Sequence, residues 1–149
     1  LNTPKKESVG RLISQLHRYS NVYMNKALLP SNIGAGQYQF LAMLFQHEGL
    51  SQDELAHLLK MDKGTTARAI AKLEKEGFVE RKVFSVDKRV RKLYLTDKAY
   101  LFEAKLNEIL SAWKHVLTDN MSDDEREYTL KMLEKMALNA EKFLDDESF

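Results

Sequence analysis

The chain has 149 residues, of which 44% are hydrophobic and 30% charged, with no cysteine and a formal net charge of +1. A globular chain of this size buries roughly 70% of its unfolded surface, so it suits one domain and needs no metal or disulfide staples. The absence of cysteine excludes thiol catalysis, disulfide frameworks, cysteine-based zinc sites and thiol redox sensing, and it is compatible with a cytoplasmic protein. The longest purely apolar run, Phe40 to Phe45, falls far short of the roughly 18 residues a spanning helix needs, so no membrane partner is expected. No signal-peptide pattern opens the chain, and a start at Leu1 points to a trimmed native terminus.

The near-neutral total conceals an asymmetry. Residues 1–59 carry a net +1, 60–98 a net +6, 99–118 none, and 119–149 a net −6. A basic middle and an acidic tail point toward a polyanionic partner for the middle.

Apolar residues recur at Val9, Leu12, Ile13, Leu16, Tyr19 and Tyr23, a spacing that predicts a helix to about Leu29, stopped by Pro30. A second helix is expected over Gly36–His47, before Gly49. Ser51-Gln52-Asp53-Glu54 reads as a capping box, with Leu50 and Leu55 placed as a hydrophobic staple, and opens a short helix to Leu59. Asp62 caps a fourth helix from about Lys63 to Glu76, closed by Gly77. From Phe78 the period changes to two, predicting strands over 78–83 and 90–95 around a charged turn, Ser85 to Arg89. Thr96 caps a fifth helix with the stripe Leu106, Ile109, Leu110, Trp113, Val116 and Leu117, and Ser122 to Glu125 forms a second capping box before a last helix to about Leu144. The expected fold is mainly α with a small two-stranded β-wing. Residues 33–96 read as a winged helix-turn-helix, and residues 1–32 and 97–149 as flanking helices that pair two copies in a symmetric dimer.

With Ile70 at the centre of its buried face, the fourth helix turns Ala67, Leu73 and Gly77 inward. Gly64, Thr65, Arg68, Lys72 and Lys75 then face outward, with neither Glu74 nor Glu76 interrupting the cationic row. Small residues at a helix N-terminus admit it to the major groove, where Arg reaches guanine O6/N7 or phosphate. Between Arg81 and Lys92 stand six cations (Arg81, Lys82, Lys88, Arg89, Arg91, Lys92) and one acid, Asp87. An arginine at a hairpin tip suits a narrow minor groove, and Asp87 is placed to hold the guanidinium of Arg89 or of Arg68. The candidate contacts to double-stranded DNA are therefore Lys63, Gly64, Thr65, Thr66, Arg68, Lys72, Lys88, Arg89 and Arg91, with Asp87 in support.

The run Asp87-Lys88-Arg89 leading to Leu95-Thr96 resembles the wing signature of the MarR (multiple antibiotic resistance regulator) family. Residues 62–81 resemble that family's recognition helix and following strand, and Ser51 to Ala56 the helix before it. The resemblance implies a homodimeric transcription regulator whose first and last two helices interlock, with recognition helices and wings on a pseudo-palindromic operator. By the same resemblance Arg68 reads the major groove and Arg89 the minor groove. Two features depart from the family pattern: Gly34-Ala35-Gly36 replaces a Thr/Pro-containing helix start, and Ala99 stands where glycine is frequent.

Other chemistries find no support. His47-Glu48 fails as a zinc-protease motif because the second histidine's position is Ser51, and the four histidines show no ligand spacing. No serine has a nucleophile-elbow context, so no enzyme, cofactor or metal is expected. Many MarR relatives bind small aromatic anions between the dimer helices and the DNA-binding lobe, with loss of operator affinity. By that resemblance His17, Arg18 and Tyr38 are the candidates for a small aromatic carboxylate effector. The expected function is a repressor released by a ligand. A small-ligand sensor and a protein-interaction winged helix without specific DNA binding stand as alternatives.

Overall fold

The computed structural model of the chain describes residues 8–83, 89 and 91–146. Helix α1, Val9–Leu28, starts at Ser8, whose hydroxyl accepts from the Arg11 N–H at 3.4 Å. It stops just short of the predicted Leu29 because Leu29–Ser31 tightens into a 3-10 turn with Pro30 in it, where a missing N–H costs nothing. Helix α2, Tyr38–Gln46, begins two residues later than expected. The Gly34–Gln37 stretch is a turn instead: the Gln37 and Tyr38 N–H groups both donate to the Gly34 carbonyl, at 3.0 and 3.2 Å. A Cβ at Gly34 would collide with Asn25 Oδ1, which accepts the Ala35 N–H at 2.8 Å. That bond gives the unusual Gly-Ala-Gly start a local reason.

Helix α3 spans Gln52–Leu59, as the capping box predicts. Ser51 Oγ accepts from the Glu54 N–H at 3.2 Å, and Glu54 Oε2 accepts from the Ser51 N–H at 2.7 Å. Helix α4 spans Lys63–Lys75. Strands β1, Val79–Val83, and β2, Arg91–Leu95, pair antiparallel with Val79 opposite Leu95 and Val83 opposite Arg91. One feature has no counterpart in the sequence pattern: residues 49–51 run along the free side of β2. The Gly49 N–H donates to Leu93 O at 2.9 Å and the Leu93 N–H to Leu50 O at 2.8 Å.

Helix α5, Asp97–Leu117, starts under Thr96, whose Oγ1 accepts from the N–H of the fully buried Ala99 at 3.3 Å. The expected stripe is only half sealed. Leu106 and Ile109 are buried, whereas Val116 and Leu117 are exposed, because the helix runs on past the compact unit that ends at Ser111. The core of that unit joins Met24 and Leu28 of α1, Phe40, Leu41 and Leu44 of α2, and Leu55, Ile70, Leu73, Phe78, Leu93 and Leu106. A second unit runs from Ala112 and consists of the end of α5 and helix α6, Asp123–Asp146. The Ser122–Glu125 capping box forms there with both bonds at 3.1 Å.

Candidate nucleic-acid interface

Helices α3 and α4 make the two arms of a helix-turn-helix. Lys60 takes a left-handed conformation (φ +54°) to end α3, and the Met61 N–H returns to Ala56 O at 3.0 Å. Two residues later Asp62 accepts the Thr65 N–H at 2.7 Å and starts α4. Such a tight turn sets α4 across the face of the module.

The buried stripe of α4 consists of Thr66, Ala69, Ile70 and Leu73, turned by about one residue from the predicted one, so Ala67 and Gly77 are only half-buried. Thr66 is therefore a correction to the candidate contacts. Its side chain is 0% exposed and its hydroxyl donates to Asp62 O at 2.9 Å, which satisfies the polar atom while the methyl joins the core. Lys72 is partly exposed and already paired. It bonds Glu76 at 3.2 Å across one helical turn, so Glu76 does interrupt the cationic row. Glu76 is held below the usual carboxylate range first by a hydrogen bond from the Asn32 side chain and then by Lys72. The exposed ridge is Gly64, Arg68, Ala71 and Lys75, with Lys63 82% exposed beside it and 3.7 Å from Asp53. Arg68 Nη2 donates to Thr65 Oγ1 at 3.3 Å and lies near the Asp62 carboxylate.

Arg81 Nε donates to Glu74 at 2.8 Å and its Nη2 to Gln52 Oε1 at 2.9 Å, joining β1 to both arms of the helix-turn-helix. Lys92 reaches Glu54 at 3.4 Å. Lys82 lies 4.9 Å from the centre of the Tyr94 ring and 3.3 Å from Glu80. All three contact neighbouring side chains, Lys82 while half exposed. Arg89 and Arg91 are exposed, and with Ser51, Gln52, Asp53 and Arg81 they line a shallow recess of about 250 Å³. Asp87 and Lys88, and with them the expected clasp by Asp87, lie outside the described residues.

The three candidate ligand residues do not converge. His17 lines a crevice of about 210 Å³ with Gln39, Phe40, Met61 and Thr65, and its Nε2 is 3.2 Å from Asn21 Nδ2. Arg18, one residue and so 100° further round α1, reaches back to Ser14 Oγ at 2.7 Å. Tyr38 accepts from Gln39 Nε2 at 3.3 Å, and neither Arg18 nor Tyr38 lines that crevice.

A capped helix presenting Arg68 and Lys75 on its outer ridge, braced against a basic two-stranded wing, is a winged helix-turn-helix module of the DNA-binding class. The sequence profile of the MarR family matches residues 33–90. The chain is similar to a MarR transcriptional regulator from Methanosarcina mazei Go1, at 39% identity and a TM-score of 0.84 over 91% of this chain and 97% of that one. It is 28% identical to the HTH-type transcriptional regulator BilQ of Clostridioides difficile (strain CD3), over 85% of this chain and 86% of that protein. It also resembles a mutant MarR from E. coli crystallised in complex with operator DNA, at 26% identity and a TM-score of 0.77 over 86% of this chain and 92% of that one. The chain belongs to the MarR family of helix-turn-helix transcriptional regulators, proteins that are not enzymes.

Proposed function

We propose that the protein is a cytoplasmic homodimeric repressor that binds a pseudo-palindromic operator and is released by a small aromatic anion. The observation that carries the reading is the outward ridge of Gly64, Arg68, Ala71 and Lys75 on a helix whose first turn is stripped of bulk. In this reading α4 of each protomer enters a major groove, Lys63 and Lys75 meet phosphates, and Arg89 and Arg91 of the wing reach the adjacent minor groove. The relative from E. coli crystallised with operator DNA supports double-stranded DNA as the partner. The apolar residues left exposed on α1 and α6 support a second copy as the natural cover, with residues 1–32 and 97–149 as the pairing region. The crevice beside His17 supports an effector site, because its wall includes Thr65 at the head of the recognition helix.

Selection of bound fragments from a random DNA library tests the reading. A two-fold operator with half-sites about 10 bp apart is expected, together with a salt slope of roughly −0.9 per phosphate for about 6–10 contacts. Recovery of unrelated fragments with no shared half-site would overturn it.

A further inference from the structure

Thr65 makes two different bonds to the same carboxylate. Its N–H donates to Asp62 Oδ1 at 2.7 Å, and its hydroxyl donates to Asp62 Oδ2 at 2.6 Å. With its proton committed to Asp62, the hydroxyl oxygen presents lone pairs on its other side, and Arg68 Nη2 donates to them at 3.3 Å. Gly64 leaves room for this. A Cβ there would stand 3.3 Å from Arg68 Nη1 and 3.3 Å from Asp62 Oδ1, closer than such contacts normally come. The guanidinium is thereby drawn back over the first turn of α4 instead of sweeping freely through solvent.

An arginine reads guanine through two parallel N–H groups placed on O6 and N7, and a single bond to Thr65 leaves four of its five N–H groups for that task. Asp62, kept ionised by the Thr65 hydroxyl, places a negative charge beside the guanidinium. That charge disfavours a phosphate as Arg68's partner and leaves the base edge as the better one. We infer that Thr65 is a positioning residue that aims Arg68 at a guanine, and that position 64 is glycine so that it can do so. The inference rests on the operator reading above and deepens it: one G·C pair in each half-site is read through the Asp62–Thr65–Arg68 chain.

The test uses the full chain and the operator recovered from the random library, with each G·C pair of a half-site replaced in turn by A·T. One replacement is expected to weaken binding by about 5- to 150-fold, the range for a bidentate arginine–guanine contact. Thr65→Val keeps the backbone cap and the branched shape but removes the hydroxyl. It is expected to erase most of the discrimination at that one pair while the other pairs keep theirs. Thr65→Ser restores the hydroxyl and the discrimination, and so separates aiming from folding. On an Arg68→Ala background, Thr65→Val is expected to change nothing further at that pair. Intact discrimination in Thr65→Val, or an equal loss on the Arg68→Ala background, would overturn the inference while leaving operator binding in place. Absence of any discriminated pair in the unaltered protein would overturn the operator reading along with it.

Discussion

Arg81 Nε lies 2.8 Å from Glu74 Oε1, so the first wing strand is held to the recognition helix through one guanidinium, whose Nη2 also holds Gln52 of α3. Both members of the ion pair are about two-thirds shielded from water, at 28% and 33% exposed. A charge-assisted bond in that setting counts for more than a solvated surface pair. Arg81→Met is expected to destabilise the protein by about 1–2 kcal/mol, the range for losing a hydrogen bond to a charged group with partial rescue by water. A urea titration checks it, and an unchanged midpoint would show that water replaces both bonds.

Gly77 closes α4 at φ +79°, and an added Cβ would meet only Lys98 Cδ at 3.7 Å, an ordinary contact. Any penalty at this position therefore comes from the backbone and not from crowding. Gly77→Ala is expected to cost about 1–2 kcal/mol, the left-handed penalty for an L-residue. Gly77→Asn should cost less, since asparagine visits that region more readily. Thermal melts of the two variants decide, and equal losses would point to a steric cause.

Much of this architecture is legible in the sequence where a local signal sets it. Ser51 and Glu54, Asp62, Gly77, and Ser122 and Glu125 each mark a helix end by side-chain or backbone chemistry confined to one turn, and all act as that chemistry predicts. The face of α4 was less legible. Thr66 reads as polar and outward, yet its hydroxyl finds a partner one turn back at Asp62 O, and the residue is buried. The Arg81–Gln52 bond and the pairing of residues 49–51 with β2 depend on contacts 29 and more residues apart, which no periodicity carries. The tail of α5 is a different case. Its apolar stripe is real, but in a single chain Val116 and Leu117 have nothing to seal against.

Among the described residues, four carboxyls are held below their ordinary range. Glu54 is held first by the Ser51 N–H, Asp62 by the Thr65 hydroxyl, Glu76 by the Asn32 side chain, and Glu125 by the Ser122 N–H. A depressed folded value means that each contributes stability above the unfolded carboxyl value of about 4 and loses it as pH falls through the folded value. The denaturation midpoint is expected to drop on acidification below about pH 4, and Glu54→Gln with Glu125→Gln should flatten that drop. Tyr100 has the opposite sign, its phenol raised by donating to Glu48. Its contribution is present below the free phenol value of about 10 and is lost as pH rises through the higher folded value. Tyr100→Phe should remove that alkaline loss, and an unaltered profile in either arm would contradict the assignment.

Helix α1 presents Val9, Leu12, Ile13, Leu16 and Tyr19 along one face, at the spacing of a helix seam. Each of the five is at least 42% exposed in the single chain. The same helix packs inward through Met24 and Leu28, so its core contacts are already made and the outer face is surplus to the fold. In the homodimer proposed above, such a continuous stripe is the natural seam. Leu12→Glu with Leu16→Glu places two carboxylates in that seam without touching the core. Analytical ultracentrifugation is expected to show the mass of one chain at concentrations where the unaltered protein shows two. The melting temperature should also lose its dependence on concentration, because folding is no longer linked to association. Operator affinity should fall by about 100-fold or more, since two tethered half-site contacts become independent ones. A doubly substituted protein that still sediments as a dimer would move the pairing surface away from α1.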